Sequence, residues 1–99
     1  AYAGTAGGTQ AALALAQLLF DQGKYQEGLA LLDATKAPDA LRDGVDVLRA
    51  AGLEGTGMAA DAAAIYQRLA DAATAQTRKD ELTASAARAY QLAGDRANA

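Results

Sequence analysis

The chain has 99 residues, a net charge of −3 and an apolar fraction of 52%, but 29 of its residues are alanine. The larger apolar side chains are 13 Leu, 4 Tyr, 2 Val and single Ile, Met and Phe residues, which at ~25 cal/mol per Å² of buried surface suffice for one small domain. Alanine favours helix and the β-branched aliphatics are only Val45, Val47 and Ile65, so a β-rich fold is excluded; the lack of Cys and His excludes disulfides, thiolate or imidazole metal sites and His-dependent catalysis.

Residues 1–8 are rich in Gly and small side chains and read as a loose lead-in. Thr9 is then an N-cap for a first helix that runs to Gln22 and stops at Gly23. Leu13, Leu15, Leu18, Leu19 and Phe20 cover more than one of its faces, so it should pack on two sides. A second helix spans Tyr25 to Ala34, with Tyr25, Leu29 and Leu32 in line and Gly28 beside them for a close approach. Pro38 suits the opening of a third helix from Asp39 to Ala51, whose stripe is Leu41, Val45 and Leu48.

The glycine-rich run Gly52 to Gly57 breaks that helix, and Thr56 caps a fourth from Met58 to Gln76. Its inward positions are Met58, Ala62, Ile65, Tyr66 and Leu69. Thr77 and Asp80 have capping-box spacing for a fifth helix, Arg78 to Leu92, that buries Leu82, Ala86, Ala89 and Tyr90. Gly94 ends it, and residues 95–99 look like the opening of a sixth helix. All of residues 9–99 form one all-α domain.

Lys and Arg are scattered singly among acids, so no basic stripe marks a nucleic-acid partner. The most apolar stretch, Ala11 to Phe20, is too short to span a bilayer and has no basic flank, which argues against direct membrane insertion or a signal peptide. Asp39, Asp43 and Asp46 share a helix face but alternate with Arg42 and Arg49, which predicts a solvated, ion-paired face and no metal. The glycine groups lack a nucleotide loop's Gly-Lys-Ser/Thr. Ser85, the single serine, has no base nearby in sequence. The chain offers no nucleophile, base, metal or cofactor site, so an enzyme is not expected.

Gly23 and Gly57 each precede a new helix and lie 34 residues apart, and Gly94 follows 37 further on. This spacing of helix–turn–helix units resembles the tetratricopeptide repeat. The run Leu19 to Leu29, with Gly23, Tyr25 and Gly28, is similar to the turn between that family's two helices. Ala87 to Asp95 is similar to the same turn seen from its first helix, with Tyr90 four before the glycine. The middle copy is weaker because Arg49 falls where the pattern wants an apolar residue, and the family's early Trp is missing (Ala12, Asp46, Thr83).

The resemblance implies helix pairs stacked as a short right-handed solenoid of about two and a half repeats (9–37, 38–77, 78–99). It also implies a protein–protein interaction module whose concave face holds a peptide or partner protein. Aligned on the glycines, the concave positions are Gln10, Leu13, Gln17, Phe20 and Asp21 in the first repeat, and Glu81, Ala84, Arg88 and Gln91 in the third. Tyr25, Tyr66 and Tyr90 take packing positions. Some relatives hold acidic C-termini in a basic, Asn-rich clamp that this chain lacks. The opening Tyr2-Ala3-Gly4-Thr5 and the Gln22 to Tyr25 turn are further similar to envelope proteins such as the ancillary subunit of the Sec translocon, which implies an extracytoplasmic location. An exposed seam on the fifth helix (Leu82, Ala86, Tyr90) would make self-association, a homodimer, the alternative role.

Overall fold

Two glycines with positive φ, Gly23 at 79° and Gly57 at 87°, set the chain's architecture. In the computed structural model, which describes residues 6–98, each closes a helix in the same way. At Gly23 the amide of Gly23 donates to the Phe20 carbonyl (2.9 Å) and that of Lys24 to the Leu19 carbonyl (2.8 Å). At Gly57 the amide donates to Glu54 (3.2 Å) and that of Met58 to Leu53 (2.8 Å). This is the Schellman closure, which needs a left-handed residue that glycine supplies without a Cβ clash. The two turns therefore match bond for bond at the 34-residue spacing.

The helices are α1 (Ala6–Asp21), α2 (Tyr25–Ala34), α3 (Asp39–Gly55), α4 (Ala59–Ala72) and α5 (Gln76–Asn98). Connections this short make successive helices antiparallel neighbours. Each helix packs on the next, and α1 also packs on α3; the α4–α5 seam is the most extensive. The molecule measures 46 × 33 × 16 Å between Cα atoms. A thickness of 16 Å is two helices deep, given an interaxial spacing of about 10 Å plus two Cα radii of about 2.3 Å.

The core divides into two clusters that share Leu53 at their border. One joins Ala16, Phe20, Leu29, Leu32 and Val45; the other joins Ala50, Tyr66 and Leu69 to the alanines of the α4–α5 seam and to Leu82. In that seam Ala62, Ala63, Ala70, Ala86 and Ala89 are buried, whereas Ala64, Ala72 and Ala87 face outward. Small side chains thus bring α4 and α5 together without a thick hydrophobic layer.

Several element ends differ from the sequence expectation. Residues 6–8 are already helical, which places Thr9 inside α1 and fully buried and removes its role as N-cap; packing of the threonine outweighs the poor helix propensity of the glycines. Residues 1–5, including Tyr2 to Thr5, and residue 99 lie outside the described residues. Helix α3 continues through Gly52 to Gly55, because Gly52 is tolerated where its missing side chain admits a neighbour. Thr56 closes α3: its hydroxyl donates to the Leu53 carbonyl at 2.9 Å. Met58 is half exposed rather than inward, at the start of α4.

Helix α4 ends at Ala72, where Ala73 turns extended (φ −70°, ψ 136°), four residues before the expected Gln76. Asp80 accepts a hydrogen bond from the Gln76 side chain at 2.7 Å, in place of the expected pairing with Thr77. Helix α5 runs straight through Gly94 to Asn98, so no turn forms there and no sixth helix opens. With open space around it, that glycine has no packing or turn partner to stop the helix.

Candidate functional site

The odd-numbered helices share one open groove of about 620 Å³. Its lining comes from Leu13, Ala14 and Gln17 on α1, Gly44, Val47, Leu48 and Ala51 on α3, and Arg78 at the start of α5. The 34-residue step relates these walls: Leu13 corresponds to Val47, Ala14 to Leu48 and Gln17 to Ala51, and a further step from Gly44 reaches Arg78. The repeat therefore builds the groove from equivalent positions of successive helices, with an aliphatic floor at Leu13, Val47 and Leu48.

The polar groups are few and placed at the edges. The Gln17 amide donates to the Asp21 carboxylate at 3.0 Å, which orients the amide along α1. Arg78 is the charged residue among the lining side chains. Ala14, Gln17, Gly44, Ala51 and Arg78 are exposed, while Leu13, Val47 and Leu48 are half-buried and rooted in the core. An apolar trough with an amide and a guanidinium at its rim can hold an extended or helical segment by its side chains, and has nothing arranged to break a bond.

Of the expected contact residues, Leu13 and Gln17 line this groove and Asp21 is tied to it through Gln17. Gln10 is exposed one turn before Leu13. Phe20 is not a surface contact: only 6% of it is accessible. Its ring stacks on Tyr25, centroids 5.7 Å apart, and lies against the bare backbones of Gly28 and Gly52. Glu81, Ala84, Arg88 and Gln91 are exposed on α5 but do not line the groove. Their assignment depended on Gly94 marking a turn, and the helix passes through it. Arg88 sits instead close enough to Tyr66 to oppose the rise in its pKa caused by burial and by Glu54.

Gly44, Val47, Leu48, Ala51 and Arg78 were missed. Stepping 34 residues from Leu13, Ala14 and Gln17 reaches three of them directly. Arg49 obscured the register, because it looks misplaced among apolar positions. The structure explains it: Arg49 lies between helices, its Nε 3.2 Å from Asp33 of α2 and its Nη1 3.9 Å from Asp46.

The carboxylate face also differs from expectation. Asp39 pairs with Arg42 at 3.1 Å in solvent, as the spacing predicts. Asp46, however, is buried (8% accessible), and accepts a hydrogen bond from Arg68 of α4 at 3.2 Å. It is a bridge between helices and no part of a solvated face. Tyr90, expected in the core, is 51% exposed; Leu82 and Ala86 of the proposed self-association seam are buried against α4.

Among the described residues, no three His, Cys, Asp or Glu side chains group closely enough to hold a metal ion, and no helix is long and apolar enough to cross a membrane. Comparison with known proteins finds no matching family model and no significant match among curated proteins or solved structures.

Proposed function

We propose that the chain is a tetratricopeptide-like interaction module that holds a peptide segment or a partner protein's surface in the groove between α1, α3 and α5. The observation that carries this reading is the groove's repeat symmetry: equivalent positions 34 residues apart supply both its long walls. Two matched Schellman turns and a body two helices deep support a short solenoid, an architecture whose inner face is a recognition surface. The ligand is apolar at the side chains that meet Leu13, Val47 and Leu48, and polar where it meets Gln17 and Arg78. No catalytic role is assigned to any residue.

Ala51 provides the test, because it is exposed, lies on the groove wall and belongs to neither core cluster. Short peptides selected from a displayed random library should bind the native chain and lose binding to Ala51→Glu, with the melting temperature of the variant unchanged. Peptides that bind both chains equally would place recognition elsewhere.

A further inference from the structure

We infer that two copies of the chain pair through the outer face of α1, each copy's α1 lying in the groove between α1 and α2 of the other. That groove, about 350 Å³, is lined by Gly8, Ala11, Ala12 and Leu15 of α1 and by Leu31, Ala34 and Thr35 of α2. It lies on a different face of α1 from the groove proposed for peptides. The two share no lining residue.

The repeat shows what such a surface ordinarily meets. Ala11, Ala12 and Leu15 correspond to Val45, Asp46 and Arg49, one 34-residue step along. In the second repeat those positions are covered by α2: Val45 packs in one cluster with Leu29 and Leu32, and Arg49 faces Asp33. The matching place on the first repeat has no helix over it. Its occupant is therefore a helix with a stripe of apolar side chains.

The residues that changed between repeats define the chemistry further. Asp46, Arg49 and Arg68 become Ala12, Leu15 and Ala34, so no charge lines this groove and no ionic anchor is required. Two identical surfaces can then meet without like-charge contact, although each copy carries a net charge of −3. A helix of the required kind is present on the same molecule. Leu15 and Leu18 of α1 are 48% and 51% exposed and stand at i and i+3, one turn apart. The other large exposed apolar residues, Met58 and Tyr90, stand singly on other elements. A two-fold pairing covers Leu15 and Leu18 of both copies at once and closes after two subunits.

Sedimentation of the native chain and its variants tests this pairing. The native chain should sediment as a dimer as its concentration rises toward about 1 mM. Leu15→Glu enters a two-fold interface twice and should weaken pairing at least about tenfold, with helical circular dichroism and melting unchanged. Tyr90→Glu should leave the dimer intact. Because the chain has no cysteine, oxidised Leu18→Cys should give a covalent dimer and Tyr90→Cys should not. A native chain that stays monomeric throughout, or a dimer that survives Leu15→Glu, overturns the inference.

Discussion

The ring of Phe20 on α1 occupies the volume that a β-carbon on Gly52 of α3 would need, with Cζ 2.5 Å from that position. The same ring excludes a side chain at Gly28 on α2, and the Tyr25 ring excludes one at Gly55. Two stacked aromatics thus lock α1, α2 and α3 together across glycines, which lets three helices converge around one bulky residue in an otherwise alanine-rich protein. Their contribution is to cohesion and not to ligand contact.

Phe20→Ala should therefore unfold or severely weaken the domain. Removing a buried phenyl costs about 3–5 kcal/mol, a large share of the roughly 5–15 kcal/mol available to a small domain. Denaturant titration would show the midpoint collapsing. A stable Phe20→Ala variant with altered partner binding would mean that the ring faces a ligand.

Glycine-to-alanine changes should split in sign according to their neighbours. At Gly52, overpacking costs about 1–3 kcal/mol, which outweighs the helix-propensity gain of about 0.8–1.0 kcal/mol, so the melting temperature falls. At Gly44 and Gly94 a Cβ meets nothing within 4 Å, and the propensity gain should raise it. A fall at Gly94 would indicate a turn at that position in place of a continuous α5.

Gly23→Ala and Gly57→Ala should each destabilise by about 1–2 kcal/mol, because alanine must be forced into the left-handed region. Equivalent turns predict near-equal losses, and a small domain's melting point moves roughly 4–8 °C per kcal/mol. Thermal denaturation of the two variants side by side checks the equivalence.

Alkaline pH should destabilise the fold through Tyr66. Burial, aided by Glu54 and opposed by Arg88, raises its phenol pKa above the ordinary 10.0. Below pH 10 the phenol is protonated in both folded and unfolded chains, so its effect is constant. Above pH 10 the unfolded chain releases the proton first, and stability falls until the folded-state pKa is passed. Stability measured from pH 8 upward should fall less steeply in Tyr66→Phe than in the native chain; parallel curves would contradict this.

Much of the helical layout is legible in the sequence, because its signals are local. Gly23 and Gly57 announce their turns, and Pro38 marks the α2–α3 boundary. Periodicity places Leu29, Leu32, Val45 and Leu69 inward. What local signals miss is set by tertiary neighbours. Gly52 reads as a helix breaker until Phe20 is seen to need its bare backbone, and Gly94 reads as a stop although nothing around it enforces one.

Half of the candidate groove was similarly readable. Leu13 and Gln17 follow from the first repeat alone. Val47, Leu48 and Ala51 require trusting the 34-residue register across Arg49 and Asp46, whose charges look foreign to a packed helix. Those charges pair with Asp33 and Arg68 of neighbouring helices, partners more than a helical turn away in sequence that no periodicity reveals. The Phe20 assignment failed for a related reason: a face position on one helix is also a core position when two others close over it.

Amide chemical-shift mapping of the native chain, titrated with a library-selected peptide, tests the central claim most directly. Saturable shifts should concentrate on Leu13, Gln17, Val47, Leu48, Ala51 and Arg78, and disappear in Ala51→Glu. Shifts centred instead on Leu15, Leu18 and Leu31, or no saturable shifts with any selected peptide, would contradict a recognition groove built by the repeat.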